Sequence, residues 1–358
     1  MKDHSIVRIG FVGFGKQAES HAEYLRNHNL ISIEAICGTR LVNRSDAERR
    51  LKNLGLSEVP IYFASTEYDP ADISIVKQML ERHPNINALV ISTPHSMHYH
   101  QVKFGLERGL HILVDKPLAT TYEDAKSLVD LAQLRSLILV VSNQRRYEDA
   151  YSYVYRQLNS GSIGTIRSIN AIISHERAWL HDWQANLALS GGGTLFSIGH
   201  HLIDTIVWLV QERVTEVNAY ASFLERGEIE DYVDALIRFD KGSTAAITIN
   251  DGAPDNSVYE RIQIWGRAGN LAIDRFKPVY DREQPKVMHQ LIDGTIFSTD
   301  FSASPTKKWA PAQNFVDAII RGAPTISSGA QNLMTIQAID ALYKSLRTHN
   351  RVIIATDF

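Results

Sequence analysis

The sequence predicts an α/β half followed by an α+β half: a doubly wound parallel Rossmann sheet over residues 1–142, then a mostly antiparallel open-sheet domain over 143–358. Three observations carry this. The apolar run Val7–Val12 ends in Gly13-Phe14-Gly15-Lys16-Gln17-Ala18, a G-x-G-x-x-A turn opening a helical pattern. Such a turn lets backbone N–H groups and a helix N-terminus approach a pyrophosphate closely. A later apolar strand, His111–Val114, runs straight into Asp115-Lys116-Pro117, which puts a lysine at the sheet edge where open α/β folds bind ligands. After about Asn143 the strand–helix alternation gives way to successive strands separated by turns.

Val7–Val12 fits a buried parallel strand, and a helix is expected from Gln17 to Asn27. Ile31–Cys37 is the second strand, with the polar loop Gly38–Arg44 after it. Helices follow at Asp46–Leu54 and Ser74–Arg82. The strand Ala88–Ser92 stops at Thr93-Pro94, because proline ends a ladder and restricts the residue before it. Helix, strand and helix come next at Met97–Arg108, His111–Val114 and Tyr122–Arg135, and Leu137–Val141 closes the series. In the second half, helix Tyr151–Leu158 precedes a long strand, Ile163–Ser174, and the Gly191–Gly193 triplet precedes an apolar helix, Leu202–Val210. Strands are expected at Val214–Leu224, Asp231–Phe239, Thr244–Asn250, Arg261–Gly266 and Asn270–Ile273. Helical periodicity returns at Gln313–Arg321 and Gln331–Thr348, and the acidic stretch Glu225–Asp231 reads as a solvated hairpin turn.

Composition narrows the function classes. The 358 residues are 44% apolar and 22% charged, as in ordinary globular proteins. A net charge of −3 without local Lys/Arg clusters gives no footprint for nucleic acid or an anionic membrane. The apolar runs read as too short to span a bilayer. Met1-Lys2-Asp3-His4-Ser5 leads directly into the first strand, so no signal peptide is expected and the chain reads as cytoplasmic. Cys37 is the sole cysteine, which excludes an internal disulfide.

Taken in order, the motifs resemble the glucose–fructose oxidoreductase/inositol dehydrogenase (Gfo/Idh/MocA) family. They are the glycine turn with His21 on the following helix, Ser92-Thr93-Pro94-His95 with His98, and Gly109 through Leu118 around Asp115-Lys116-Pro117. Arg146-Tyr147, Gly161-Ser162-Ile163-Gly164, and Ser190 through Leu195 continuing to Gly199, His201 and Asp204 complete the set. The resemblance implies an NAD(P)-dependent dehydrogenase or reductase acting on a hydroxyl or ketone carbon of a sugar, cyclitol or nucleotide sugar. It further implies that Lys116 and His201 meet at the nicotinamide–substrate site, and that the open sheet builds a homodimer or homotetramer. Some relatives instead use held NAD for transient oxidation and elimination of a glycosidic bond. A third class would be a non-catalytic dinucleotide-binding regulator.

Proton transfer suits the two expected catalytic residues. Histidine titrates near neutrality, and a lysine is depressed toward it by burial or a cationic nicotinamide. Many relatives carry aspartate four residues before the histidine, but here that position is Ser197, which can hydrogen-bond a substrate oxygen without supplying charge. Gly13, Phe14, Gly15, Lys16, Gln17, Ser92, Thr93, Pro94, His95, His98, Asp115 and Lys116 are expected on the cofactor side. The spacing of His95, His98 and His100 resembles a metal set, but without cysteine or carboxylate partners no metal is expected. Arg146 is either a phosphate or sugar contact or an interface ion pair, and Trp183 either core or a pocket wall.

The second strand ends in Cys37-Gly38-Thr39-Arg40, with no Asp or Glu between Ala35 and Ser45. An NAD-preferring site usually has an acid there to bind the ribose hydroxyls. Its absence, with Thr39, Arg40 and Arg44 as donors, favours NADP over NAD. The alternative is that these arginines are solvated and either coenzyme serves.

Overall fold

The computed structural model describes residues 6–38, 44–64, 69–175, 182–223, 228–252, 257–278, 285–304 and 307–355. Strands β1 (Val7–Val12), β2 (Ile31–Gly38), β3 (Ile61–Phe63), β4 (Ala88–Ile91), β5 (His111–Asp115) and β6 (Leu139–Ser142) come first. Between them run helices α1 (Lys16–Leu25), α2 (Arg44–Asn53), α3 (Ser74–Arg82), α4 (His98–Glu107) and α5 (Tyr122–Leu134). Next are α6 (Asp149–Asn159), β7 (Ile166–His175), α7 (Leu187–Ser190) and α8 (His200–Val210). A strand series follows: β8 (Val214–Ser222), β9 (Tyr232–Phe239), β10 (Thr244–Asn250), β11 (Ser257–Gly266), β12 (Gly269–Pro278), β13 (Lys286–Leu291) and β14 (Ile296–Asp300). The chain closes with α9 (Ala310–Arg321), α10 (Gly329–Thr348) and β15 (Val352–Ile353).

Two compact units result: Met1–Gln144 with Lys308–Leu333, and Arg145–Lys307 with Met334–Phe358. The single cut expected after residue 142 is therefore corrected to one after 144, plus a later segment that folds with the first unit. The reason is visible in α9, whose Ala312, Phe315 and Val316 are buried in one cluster with Ile9, Phe11, Leu25 and Val140.

Among the described residues, the first unit's sheet runs in the order β3-β2-β1-β4-β5-β6. Every pairing in it is parallel. Strand order reverses between β1 and β4, the switch point at which such sheets open a ligand crevice. The Ala-Leu-Val-Ile run of β4 is buried throughout, as expected for a parallel strand covered by helices on both faces. Thr121 caps α5 by accepting the Asp124 N–H at 3.2 Å, which fixes where that helix starts.

The second unit's sheet runs β14-β13-β12-β11-β7-β10-β9-β8-β15 among the described residues. Only β7 and β10 pair in parallel. Alternation sorts its faces: Ala245, Ile247 and Ile249 of β10 are buried, with half-buried residues between them. The inner face packs against Leu202 and Ile206 of α8 and Ile339 and Leu342 of α10. The outer face exposes Tyr220, Leu236 and Trp265. Contrary to the sequence reading, one helical run, Leu187–Val210, is long and apolar enough to cross a membrane, and it lies mostly buried inside this unit as a core helix.

Candidate functional site

The glycine turn at the β1 edge is shaped by two different demands. Gly13 has φ of 81°, and a Cβ there would fall 2.4 Å from the Ser92 carbonyl oxygen, so only glycine fits. Its N–H donates to the Cys37 carbonyl at 2.7 Å. A Cβ on Gly15 would meet nothing within 4 Å. That residue starts α1 with no side-chain cap, so the first-turn N–H groups open toward the space above it. Such a donor set fits a pyrophosphate. Lys16 is exposed and Gln17 half-buried. The Phe14 ring is buried edge-on against Phe11, 5.5 Å between centroids, while its backbone forms part of the turn.

The β4 end is tied to β1 by the Ser92 N–H, which donates to the Val12 carbonyl at 2.8 Å. Pro94 and Thr93 are buried beyond it, and Thr93 Oγ1 donates to Gln101 Oε1 at 2.6 Å. Asp115 ends β5, with Oδ1 3.2 Å from Nε2 of the fully buried His21, whose ring also lies 3.4 Å from Ser142 Oγ. Lys116 follows, half-buried, joined to Pro117 by a cis peptide bond.

His98 is fully buried, with Nδ1 2.6 Å from the Pro117 carbonyl and Nε2 2.9 Å from the Thr93 carbonyl. Two carbonyls favour the imidazolium, but burial outweighs them and lowers its pKa below 6.5. His98, expected on the cofactor side, thus sits between the β4 and β5 ends with its two ring nitrogens facing backbone carbonyls, and one of them donates. His95 is buried beside it, ring centroids 6.1 Å apart. Among the described residues, no group of three or more His, Cys, Asp or Glu side chains is arranged to hold a metal.

Thr39 and Arg40 lie outside the described residues. Arg44 opens α2, exposed, and donates Nε to Glu48 at 2.8 Å along the helix. Its guanidinium lies 5.9 Å from the Phe63 ring centre.

In the second unit, a π-helical turn, Leu195–Gly199, leads into α8. From Gly192 to Val207 every residue is buried except Ser197 and His201, spaced four apart on one face. A hydroxyl and an imidazole that are less buried than their neighbours can hydrogen-bond an alcohol and exchange its proton. Ser197 Oγ donates to the Thr194 carbonyl at 3.3 Å, and the His201 carbonyl accepts from Thr205 Oγ1 at 2.7 Å. Trp183 is half-buried in a single turn before α7.

Arg146, for which the sequence left a phosphate or sugar contact and an ion pair both open, forms an ion pair. It is 2% exposed and forks onto Asp204 of α8, Nε to Oδ2 at 3.0 Å and Nη2 to Oδ1 at 2.6 Å. Thr335 Oγ1 also donates to that carboxylate, at 3.0 Å. The guanidinium is held within the unit's core by this ion pair.

Sequence reasoning missed three acids at one end of the sheet. Glu230, expected in a solvated turn, is 3% exposed. Its Oε1 accepts from the Leu195 N–H at 3.0 Å and the Tyr343 hydroxyl at 2.8 Å. The Gly193 N–H is shared between Oε1 at 2.9 Å and Oε2 at 3.0 Å. Burial raises this carboxyl's pKa against the pull of its donors. Asp231 and Asp251 are also buried, and the Asp251 N–H donates to the Asp231 carbonyl at 3.1 Å. A sequence signal existed for this row: extending the period-2 phase of β9 and β10 outward reaches Asp231 and Asp251 on the inner face.

Comparison with known proteins adds the following. The profile of the GFO/IDH/MocA oxidoreductase family, NAD-binding Rossmann fold, matches residues 7–143, and that of the GFO/IDH/MocA C-terminal domain matches residues 151–272. The 1-carboxy-3-chloro-3,4-dihydroxycyclohexa-1,5-diene dehydrogenase of Comamonas testosteroni is 30% identical over 182 residues, 50% of this chain and 46% of its own. D-glucoside 3-dehydrogenase of Escherichia coli is 27% identical over 221 residues, 61% of this chain and 58% of its own. The chain thus spans about half the length of these curated relatives. The crystal structure of aldose-aldose oxidoreductase from Caulobacter crescentus, complexed with glycerol, superposes with a TM-score of 0.80 at 20% identity. That match covers 98% of this chain and 100% of the other, a likeness of fold.

Proposed function

The chain belongs to the GFO/IDH/MocA oxidoreductase family, and on that premise we propose that it is an NAD(P)-dependent dehydrogenase or reductase. Its substrate is a hydroxyl or ketone carbon of a sugar, cyclitol or nucleotide sugar. The observation that carries this reading is Lys116, half-buried at the C-terminal end of β5, beside the β1–β4 switch point. When bound, the nicotinamide supplies the hydride acceptor or donor. The chain's own residues do the rest. The turn from Gly13 to Gln17 holds the pyrophosphate, Lys116 hydrogen-bonds the reacting oxygen, and His201 takes or returns its proton. Ser197 bonds a neighbouring hydroxyl. A glucoside and a dihydroxycyclohexadiene, the substrates in the names of two relatives, both offer such hydroxyl carbons.

The preferred coenzyme under this reading is NADP. No acid stands between Ala35 and Ser45 to repel a 2′-phosphate, and Thr39, Arg40 and Arg44 follow β2. Arg44 also pairs with Glu48 at the surface of α2. The protein assembles as a homodimer or homotetramer through the outer face of the second unit's sheet. An open depression of about 650 Å³ there, lined by Tyr220, Leu236 and Trp265 among others, supports this, and sedimentation measures it.

The deciding experiment is a panel of sugars, cyclitols and nucleotide sugars with NADP and NAD, followed at the nicotinamide absorbance. Substrate-dependent absorbance change, stronger with NADP, is expected. Aglycone release without net change would replace the reading by oxidation–elimination. Dinucleotide binding with every substrate left unchanged would make the protein a regulator.

A further inference from the structure

The N-terminus of a helical run leaves N–H groups that need acceptors, and a nearby Ser, Thr, Asp or Asn usually provides them. Here the acceptor comes from 35 residues further along the chain. The Glu230 carboxylate takes the Gly193 and Leu195 N–H groups, while its own carbonyl takes the Thr194 N–H at 2.9 Å. One residue therefore grips three consecutive peptide units. Gly193 is required by that grip: an added Cβ would lie 2.0 Å from the Glu230 carbonyl oxygen. Tyr343 of α10 closes the bracket, donating to Glu230 and stacking on Phe196 with ring centroids 4.9 Å apart.

What is gripped leads directly to the reactive face. Leu195 begins the π-helical turn, Ser197 is its middle residue, and His201 stands two residues beyond it. A π turn is rare and frequently found at functional sites, and here it is held from outside by Glu230 and Tyr343. Burying a carboxylate is unfavourable unless its bonds are well made, and a local cap would hold a helix end without that penalty. What a local cap would not do is fix the turn against both α10 and the segment that leads into β9.

We propose that Glu230 is a positioning residue, acting through the 193–195 backbone to set where Ser197 and His201 present their side chains. The proposal rests on the hydride-transfer reading of His201 given above. A misplacement of about 1 Å at a reacting group costs on the order of 10²-fold in rate.

The test uses the full-length protein and the variants Glu230→Ala, Glu230→Gln and His201→Ala. Kinetics are measured beside coenzyme Kd and the His201 ring NMR signal, assigned by its loss in His201→Ala. Glu230→Ala is expected to lower kcat by about 10–100-fold, leave coenzyme Kd unchanged and shift or broaden the His201 signal. Glu230→Gln keeps an oxygen acceptor in the same place, so it should recover kcat to within about threefold of the native protein, with a near-native His201 signal. Wild-type kcat and ring signal in Glu230→Ala would overturn the proposal. So would a Gln variant no better than the Ala variant in both measurements. Native turnover in His201→Ala would instead overturn the hydride-transfer reading, while the ring signal would still decide whether Glu230 positions the imidazole.

Discussion

Removing the Arg146 guanidinium leaves the Asp204 carboxylate buried without its ion partner, because the side chains of the forked pair are only 1% and 2% exposed. Arg146→Met is expected to destabilise the protein by about 3–5 kcal/mol in urea unfolding, with KM little changed in whatever protein remains folded. Lys116→Ala should do the reverse: turnover falls by about 10²–10⁴-fold while fluorescence titration shows dinucleotide affinity and stability near native. His98 and His111 add a pH dependence, since burial holds both imidazoles below 6.5. The unfolded chain binds protons that the folded one does not, so their contribution is complete above pH 6.5 and is lost as pH falls through the lowered folded values. The part of the melting temperature that these rings contribute should therefore fall as pH drops below 6.5, read as the difference in pH slope between the native protein and His98→Gln. Lys116 could be read from sequence because its strand and proline are its immediate neighbours. The partners of Arg146 and Glu230 could not, because Asp204 lies 58 residues and Tyr343 113 residues away.

Elements with strong local periodicity were legible, and those held only by neighbours were not. β1, β4 and β5 are apolar runs bounded by Gly or Pro turns, so composition alone marks them. β3 has only three residues, all half-buried, and β15 only two, one buried and one exposed, too few for any pattern to emerge. β14 is largely exposed along its length and carries almost no inside–outside signal. α9 was legible as an amphipathic helix, but its stripe says only that one face is buried, not against which sheet. Phe315 is fully buried in the first unit's cluster, so Phe315→Ala should cost about 3–5 kcal/mol by the same urea measurement. A loss confined to below about 1 kcal/mol would mean that α9 is not part of that core.

At the scale of the whole molecule, the alternation of strand and helix revealed the first unit, but no feature of residues 1–144 announces that the unit is unfinished. Expressed alone, residues 1–144 should be aggregation-prone, because the apolar surface that receives Ala312, Phe315 and Val316 would face water. Appending 308–333 through a flexible linker should restore a cooperative melt, and a well-folded 1–144 fragment would contradict the assignment. The interrupted layout also reaches into biosynthesis. A ribosome adding about 5–20 residues per second takes about 10–40 s to travel from Gln144 to Leu333. During that interval the nascent dinucleotide-binding half waits with an uncovered greasy flank, a natural client for a holding chaperone. Slow codons between the two stretches would lengthen that exposure, and synonymous recoding there should change soluble yield without altering a single amino acid.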